Sequence, residues 1–255
     1  MLKQIPNIFT LLNLVCGCIA IIMTMQQGIV LQMGEETGVQ YIDIPEKIWM
    51  ASLFIALAAV IDFLDGFVAR ALGAVSELGK QLDSLADVVS FGVAPSLILY
   101  QFLRLGFAAY DTSLDAPLWW LLPALLPAAA AAYRLGRFNL DDSQTVWFRG
   151  LPTPAAGLMV ASLPLIYWNS ESSMIVLAIK SPWLIIAISI GISLLMVSRL
   201  PMLSLKFAKG SPANLPRIIL LAFFITAIFM KGWLSVPAAF LAYIVLSLIY
   251  KRQAI

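Results

Sequence analysis

"DFLDGFVARALGAVSELGKQLDSLAD", residues 62–87, places four aspartates between long apolar stretches of a chain with little other charge. The whole chain of 255 residues is 61% hydrophobic and 12% charged, with a mean hydropathy of +0.92. Soluble domains hold about 45–50% apolar and about 25% charged residues. This composition is that of a polytopic membrane protein. The net charge of +2 provides no broad basic field, which argues against nucleic acid as a partner. There is no histidine, so acid–base or metal chemistry falls to carboxylates. Cys16 and Cys18 both lie in the first apolar stretch and do not suggest a disulfide framework. That stretch exceeds a signal-peptide core and lacks a clear small-residue cleavage site, so it reads as retained.

A spanning helix needs about 20 mainly apolar residues. Eight candidates follow, at about 5–25, 49–70, 84–106, 117–136, 152–169, 182–199, 215–231 and 233–250. The last two are separated by little more than Lys231–Gly232 and read as a tight helical hairpin. Gly92 and Pro95 in the third, and Pro123 and Pro127 in the fourth, predict kinks rather than breaks. With the N-terminus inside, only Lys47, Arg104, Lys180 and Lys231 of the 16 basic residues fall outside. The positive-inside rule then puts both termini in the cytoplasm and the acidic loop 26–48 outside. Trp119, Trp120, Trp147 and Trp183 sit near segment ends, as interfacial belt residues do.

The second span then runs inward past Asp62 and Asp65, and the third runs back out past Asp83 and Asp87. Residues three and four apart share a helix face. Asp62, Asp65, Gly66 and Ala69 form one stripe, and Asp83, Asp87 and Ser90 another. Four carboxylates can therefore converge on one pocket just below the cytoplasmic surface. Clustered anions at a membrane boundary repel one another and resist desolvation. A divalent cation resolves both difficulties, and hard oxygen donors suit magnesium or manganese. Pairing of these aspartates with Arg70 and Lys80 at the helix ends is the plainer reading; four in register favour the metal.

Asn7, Thr10 and Asn13 share a face of the first span, where they could line the same pocket or bond between helices. Arg134 and Arg137 close the fourth span, as ligand-binding residues or as basic anchors. Asp141 and Asp142 read as solvated loop residues.

The spacing Asp62-x-x-Asp65-Gly66-x-x-Ala69-Arg70, eight residues, Gly79-x-x-x-Asp83-x-x-x-Asp87 resembles the full motif of the CDP-alcohol phosphatidyltransferases. "IPNIFTLLNLVCG", "DSLADVVSFGVAPS", "YRLGRFN" and "GLPTPAAG" extend the resemblance to the bacterial serine-using branch, over about residues 4–210. The resemblance implies an all-α membrane fold: a six-helix core in residues 1–210 and a C-terminal helical pair in 211–255. It implies that Asp62, Asp65 and Asp83 bind two divalent ions, Mg²⁺ or Mn²⁺, with Asp87 completing the second site and acting as base. Asn7, Thr10, Gly66, Ala69, Arg70 and Gly79 would line the CDP-diacylglycerol pocket. Arg134, Arg137 and Asn139 are the candidates for holding L-serine. A multi-pass protein of the bacterial inner membrane is implied, with its site facing the cytoplasm, membrane lipid around it and a homodimer as its assembly.

The implied reaction is attack of the serine hydroxyl on the diacylglycerol-bearing phosphorus, releasing CMP. Such transfer needs positioning and charge neutralisation more than covalent help, and paired metals supply both. With no histidine, a carboxylate is the natural proton acceptor. A sister transferase using glycerol-3-phosphate, inositol phosphate or choline stands as the alternative, because two arginines suit a carboxylate or a phosphate. An ion-coupled transporter would favour acids near the bilayer midplane and broken helices in both halves; here the acids cluster in one half.

Overall fold

The computed structural model describes residues 4–33, 40–74, 76–110, 116–140, 147–203 and 232–251. In the first long helix, α1 (Ile5–Gln26), the buried stripe is Pro6, Thr10, Asn13, Gly17, Ala20 and Thr24. Its large apolar residues, among them Ile8, Leu11, Leu12, Val15 and Ile22, are exposed. The next long helix, α2 (Trp49–Ala71), repeats the inversion, with Ala51, Ser52, Ala58 and Asp65 inside and Leu57, Val60, Phe63 and Phe67 outside. Small and polar faces inside, with large apolar faces outside, are what lipid as solvent selects. The two helices pack against each other more extensively than any other pair of described elements.

α3 (Glu77–Asp87) passes through a π-helical segment, Val88–Val93, into α4 (Ala94–Tyr110). A short α5 (Leu118–Leu121) and a 3₁₀ turn at Leu122–Leu125 lead into α6 (Leu126–Leu140). α7 (Thr153–Asn169), α8 (Ser173–Lys180), α9 (Pro182–Val197) and α10 (Ser235–Lys251) complete the described helices. Two antiparallel ribbons join them: β1 (Val30–Met33) with β2 (Gln40–Asp43), and β3 (Trp147–Arg149) with β4 (Pro201–Leu203).

Five of these helical stretches are long and apolar enough to cross a membrane, and α8 with α9 would make a sixth, bent by 70°. α7, at 17 residues, is near the lower limit of roughly 17 for a span and is buried along most of its length. The chain is thus the expected all-α polytopic membrane protein. The expected span at 215–231 lies outside the described residues. The expected irregularities fall where Gly92 and Pro123 stand, as the π segment and the 3₁₀ turn.

Three features were not anticipated from hydropathy. The third span begins at Glu77 rather than 84, because Ser76 caps it by accepting a hydrogen bond from the Gly79 N–H at 3.1 Å. The opening turns of α3 are polar, so no apolar run marks them. The loop 26–48 contains the β1–β2 ribbon, and Asp43 at its end is buried. Asp43 accepts from the Tyr167 hydroxyl at 2.5 Å and faces Lys180 Nζ at 3.6 Å, pinning the ribbon to α7 and α8. At the same end Trp120 and Trp183 stack edge-to-face at 5.9 Å with Phe107 beside them.

The π segment is the hub of the bundle, in contact with α1, α3, α4, α6 and α7. Close approach there requires small residues. A Cβ on Gly17 would lie 2.8 Å from Ser90 Cα, and one on Gly157 would lie 3.0 Å from Phe91 Cα.

Candidate active site

Asp87 is the last residue of α3, immediately before the hub. A π turn shifts the register of the side chains that follow it, and such bulges are frequent at functional sites. Asp62 stands nine residues before the end of α2, roughly 14 Å at 1.5 Å per residue. The carboxylates therefore lie two to three turns inside the helix ends rather than at them.

Asp62, Asp83 and Asp87 offer carboxylate oxygens that all lie within 4.8 Å of one another. Asp87 is buried, while Asp62 and Asp83 are half-buried. Asp65 stands outside this trio: it is buried, and its Oδ2 accepts from Thr10 Oγ1 at 2.7 Å. Asn13 Nδ2 donates to Asp87 Oδ1 at 3.3 Å, and the Ser90 hydroxyl donates to the Asn13 carbonyl at 3.0 Å. α1 thus reaches both acidic helices through one face. Asn13 Oδ1 is buried with no hydrogen-bond partner among the described residues. From sequence Asn13 reads either as lining the same pocket or as an interhelical bond, and its place i+3 from Thr10 is the signal.

The remaining candidates lie on α1, α2 and α3. Asn7 donates to Gln4 at 2.8 Å and closely faces Gly79, where a Cβ would meet its Oδ1 at 3.1 Å. Gly66 faces the Arg70 guanidinium, 3.3 Å from where its Cβ would be, and Arg70 is exposed. Ala69 is half-buried on the same helix.

The arginine pair divides. Arg134 is buried and donates to Thr153 Oγ1 at 3.2 Å, while its Nε has no partner among the described residues. It lies within electrostatic range of Asp87. Arg137 instead donates to the Val197 carbonyl at 3.0 Å, at the end of α9, with its guanidinium 5.8 Å from the Tyr133 ring centre. Asn139 Nδ2 donates to Ser84 Oγ at 2.9 Å, which fixes the amide and leaves its buried Oδ1 unpartnered among the described residues. Lys80 reaches the Asn139 carbonyl at 3.4 Å. Asp141 and Asp142 lie outside the described residues.

Three clustered carboxylates, with the buried Arg134 within electrostatic range of one of them, thus sit among the helices of the bundle. The family model for CDP-alcohol phosphatidyltransferase matches residues 3–195, and the chain belongs to that family. Among curated proteins it is similar to the CDP-diacylglycerol–serine O-phosphatidyltransferase of Bacillus subtilis, 32% identical over 78% of this chain and 89% of the relative. It is also similar to the protein of the same name in Helicobacter pylori, 32% identical over 71% of each chain. The one in Mycobacterium leprae is 34% identical over 76% of this chain and 63% of the relative.

Proposed function

We propose that the chain transfers the phosphatidyl group of CDP-diacylglycerol to the hydroxyl of L-serine, giving phosphatidylserine and CMP. The convergence of Asp62, Asp83 and Asp87 carries this reading, and the serine named in its relatives supports the acceptor. These three carboxylates, with Asp65 of the same motif, would hold two divalent ions. A hard-oxygen donor set suits magnesium or manganese, and the unpartnered, buried Asn13 Oδ1 beside it is a further oxygen of the same kind. When bound, the ions would neutralise charge on the pyrophosphate and on the departing CMP.

The chain's own residues do the rest. Asn7, Thr10, Gly66, Ala69, Arg70 and Gly79 form the nucleotide side, with the acyl chains leaving sideways into lipid. The new bond forms between the serine oxygen and the diacylglycerol-bearing phosphorus, while the bond from that phosphorus to CMP breaks. Asp87 accepts the hydroxyl proton. Asn13 holds its Oδ1, which leaves Oδ2 to receive it. Arg134 faces the serine carboxylate with its free Nε, and the Asn139 Oδ1 accepts from the ammonium.

Purified protein given labelled CDP-diacylglycerol should release CMP with L-serine, but not with glycerol-3-phosphate, inositol phosphate or choline. Phosphatidylglycerophosphate without phosphatidylserine would assign the chain to a sister branch. Lysine cannot reproduce arginine's forked geometry toward a carboxylate. Losing one charged hydrogen bond costs roughly 1.5–3 kcal/mol, about ten- to a hundredfold in apparent affinity. Arg134→Lys should therefore raise the serine KM by that factor and leave the KM for CDP-diacylglycerol unchanged. Wild-type serine kinetics would make Arg134 an anchor only.

We place the site on the cytoplasmic side of the bacterial inner membrane, since serine is soluble and the donor lipid stays in its leaflet. Single cysteines at Leu72, near the end of α2, and Ser172, before α8, are both at exposed positions. In a background lacking Cys16 and Cys18, an impermeant thiol reagent on intact cells should label Ser172→Cys and spare Leu72→Cys. The reverse pattern would invert the orientation. A homodimer and the division at residue 210 belong to the same reading, with Asp65 and Arg137 its least direct participants.

A further inference from the structure

We infer that α10, the C-terminal helix beyond the family match, is a positioning element for the arginine side of the site, acting through Tyr243 and Ser247. The inference rests on Arg134 binding the acceptor. Both residues are buried, one turn apart on the face that meets β4. The Tyr243 hydroxyl donates to the Leu203 carbonyl at 2.9 Å. The Ser247 hydroxyl accepts from the Leu203 N–H at 3.2 Å and donates to the Tyr243 carbonyl at 2.7 Å. Two side chains of α10 thus satisfy both backbone groups of one β4 residue.

What β4 holds is the entry to α7 and the exit from α9. β4 pairs with β3, Phe148 opposite Met202. Beyond the pair, the Gly150 N–H donates to Leu200 O at 2.8 Å and the Leu151 N–H to Leu195 O at 3.0 Å. Gly150 has φ +81°, and a Cβ there would lie 2.8 Å from the Ser198 carbonyl oxygen. Left-handed backbone and close approach together fix this turn. Three residues on, Thr153 accepts the Arg134 guanidinium, and the last residue of α9, Val197, accepts that of Arg137. Tyr243 is itself within electrostatic range of Arg134. The path from Tyr243 and Ser247 to both arginines therefore runs through one short ribbon and hydrogen bonds of 3.2 Å or less. Among the described residues none of these hydrogen bonds ends on Asp62, Asp83 or Asp87, so loosening the path should leave the nucleotide side intact.

The test uses the full chain carrying Tyr243→Phe or Ser247→Ala, each removing a hydroxyl with little loss of packing. Serine is varied at saturating CDP-diacylglycerol and the lipid at saturating serine, with Arg134→Lys measured alongside. One neutral hydrogen bond corresponds to about two- to tenfold. We expect the serine KM to rise by that factor in both variants, with the KM for CDP-diacylglycerol unchanged, whatever the fall in Tm. A helix serving only stability would lower the Tm and leave the serine KM where it was, and that result overturns the inference. If Arg134→Lys raises the serine KM and the two α10 variants do not, the positioning role fails while the acceptor reading stands. If Arg134→Lys leaves the serine KM unchanged, the acceptor reading fails and takes this inference with it.

Discussion

Asp87→Asn should abolish CMP release from CDP-diacylglycerol, and Asp62→Asn and Asp83→Asn should do the same, each with the protein still inserted and purifiable. The three side chains share one cluster of oxygens within 4.8 Å, so removing any one charge changes the site for all. Loss of a general base alone costs about 10²- to 10⁴-fold for Asp87, and Asp62 and Asp83 lose activity by withdrawing a metal ligand. The side chains are similar in size, so the fold should not register the change. Asp65→Asn should lose activity as well, although its carboxylate accepts from Thr10 and stands outside the cluster of three. Binding of Mn²⁺ to purified protein, followed by electron paramagnetic resonance without substrate, gives a second readout. Chelator should silence the wild type, and magnesium or manganese should restore it. Near-normal turnover in Asp83→Asn would end the shared-metal reading.

Gly17→Val should also be damaging, although residue 17 carries no chemistry. A Cβ there would press on Ser90, 2.8 Å from its Cα, in the segment that joins α3 to α4. Backbone cannot yield as the end of a flexible side chain can, and overpacking of this kind costs about 1–3 kcal/mol, occasionally more. Relief requires α1 to move away from the π segment. That motion takes with it the Ser90–Asn13 and Asn13–Asp87 hydrogen bonds. We expect a lower Tm in detergent together with at least a tenfold loss of turnover. Gly136→Ala is the control, since a Cβ at Gly136 would meet nothing within 4 Å. Wild-type turnover in Gly17→Val would mean that α1 does not set the position of Asp87.

The sequence by itself determined the solvent and the family. Composition alone required lipid, and the offsets among Asp62, Asp65, Asp83 and Asp87 placed them on facing stripes of adjacent helices. Both follow from local rules, the length of an apolar run and the periodicity of a helix. Thr10 was legible for the same reason, as a polar residue on one face of α1.

Tertiary structure decided what those rules do not contain. Which three of four aspartates meet depends on how α2 and α3 cross, and it was Asp65 that turned to Thr10. Arg134 and Arg137, three apart on one helix, look equivalent in sequence. Only the placement of α7 and α9 sends one to Thr153 and the other to the Val197 carbonyl. The π segment has no hydropathy signature, since one extra residue in a turn leaves an apolar run apolar. Asp43 reads as a loop acid, yet Tyr167 and Lys180 converge on it from α7 and α8. Each of these outcomes depends on partners far apart in the chain, and periodicity carries no information about them.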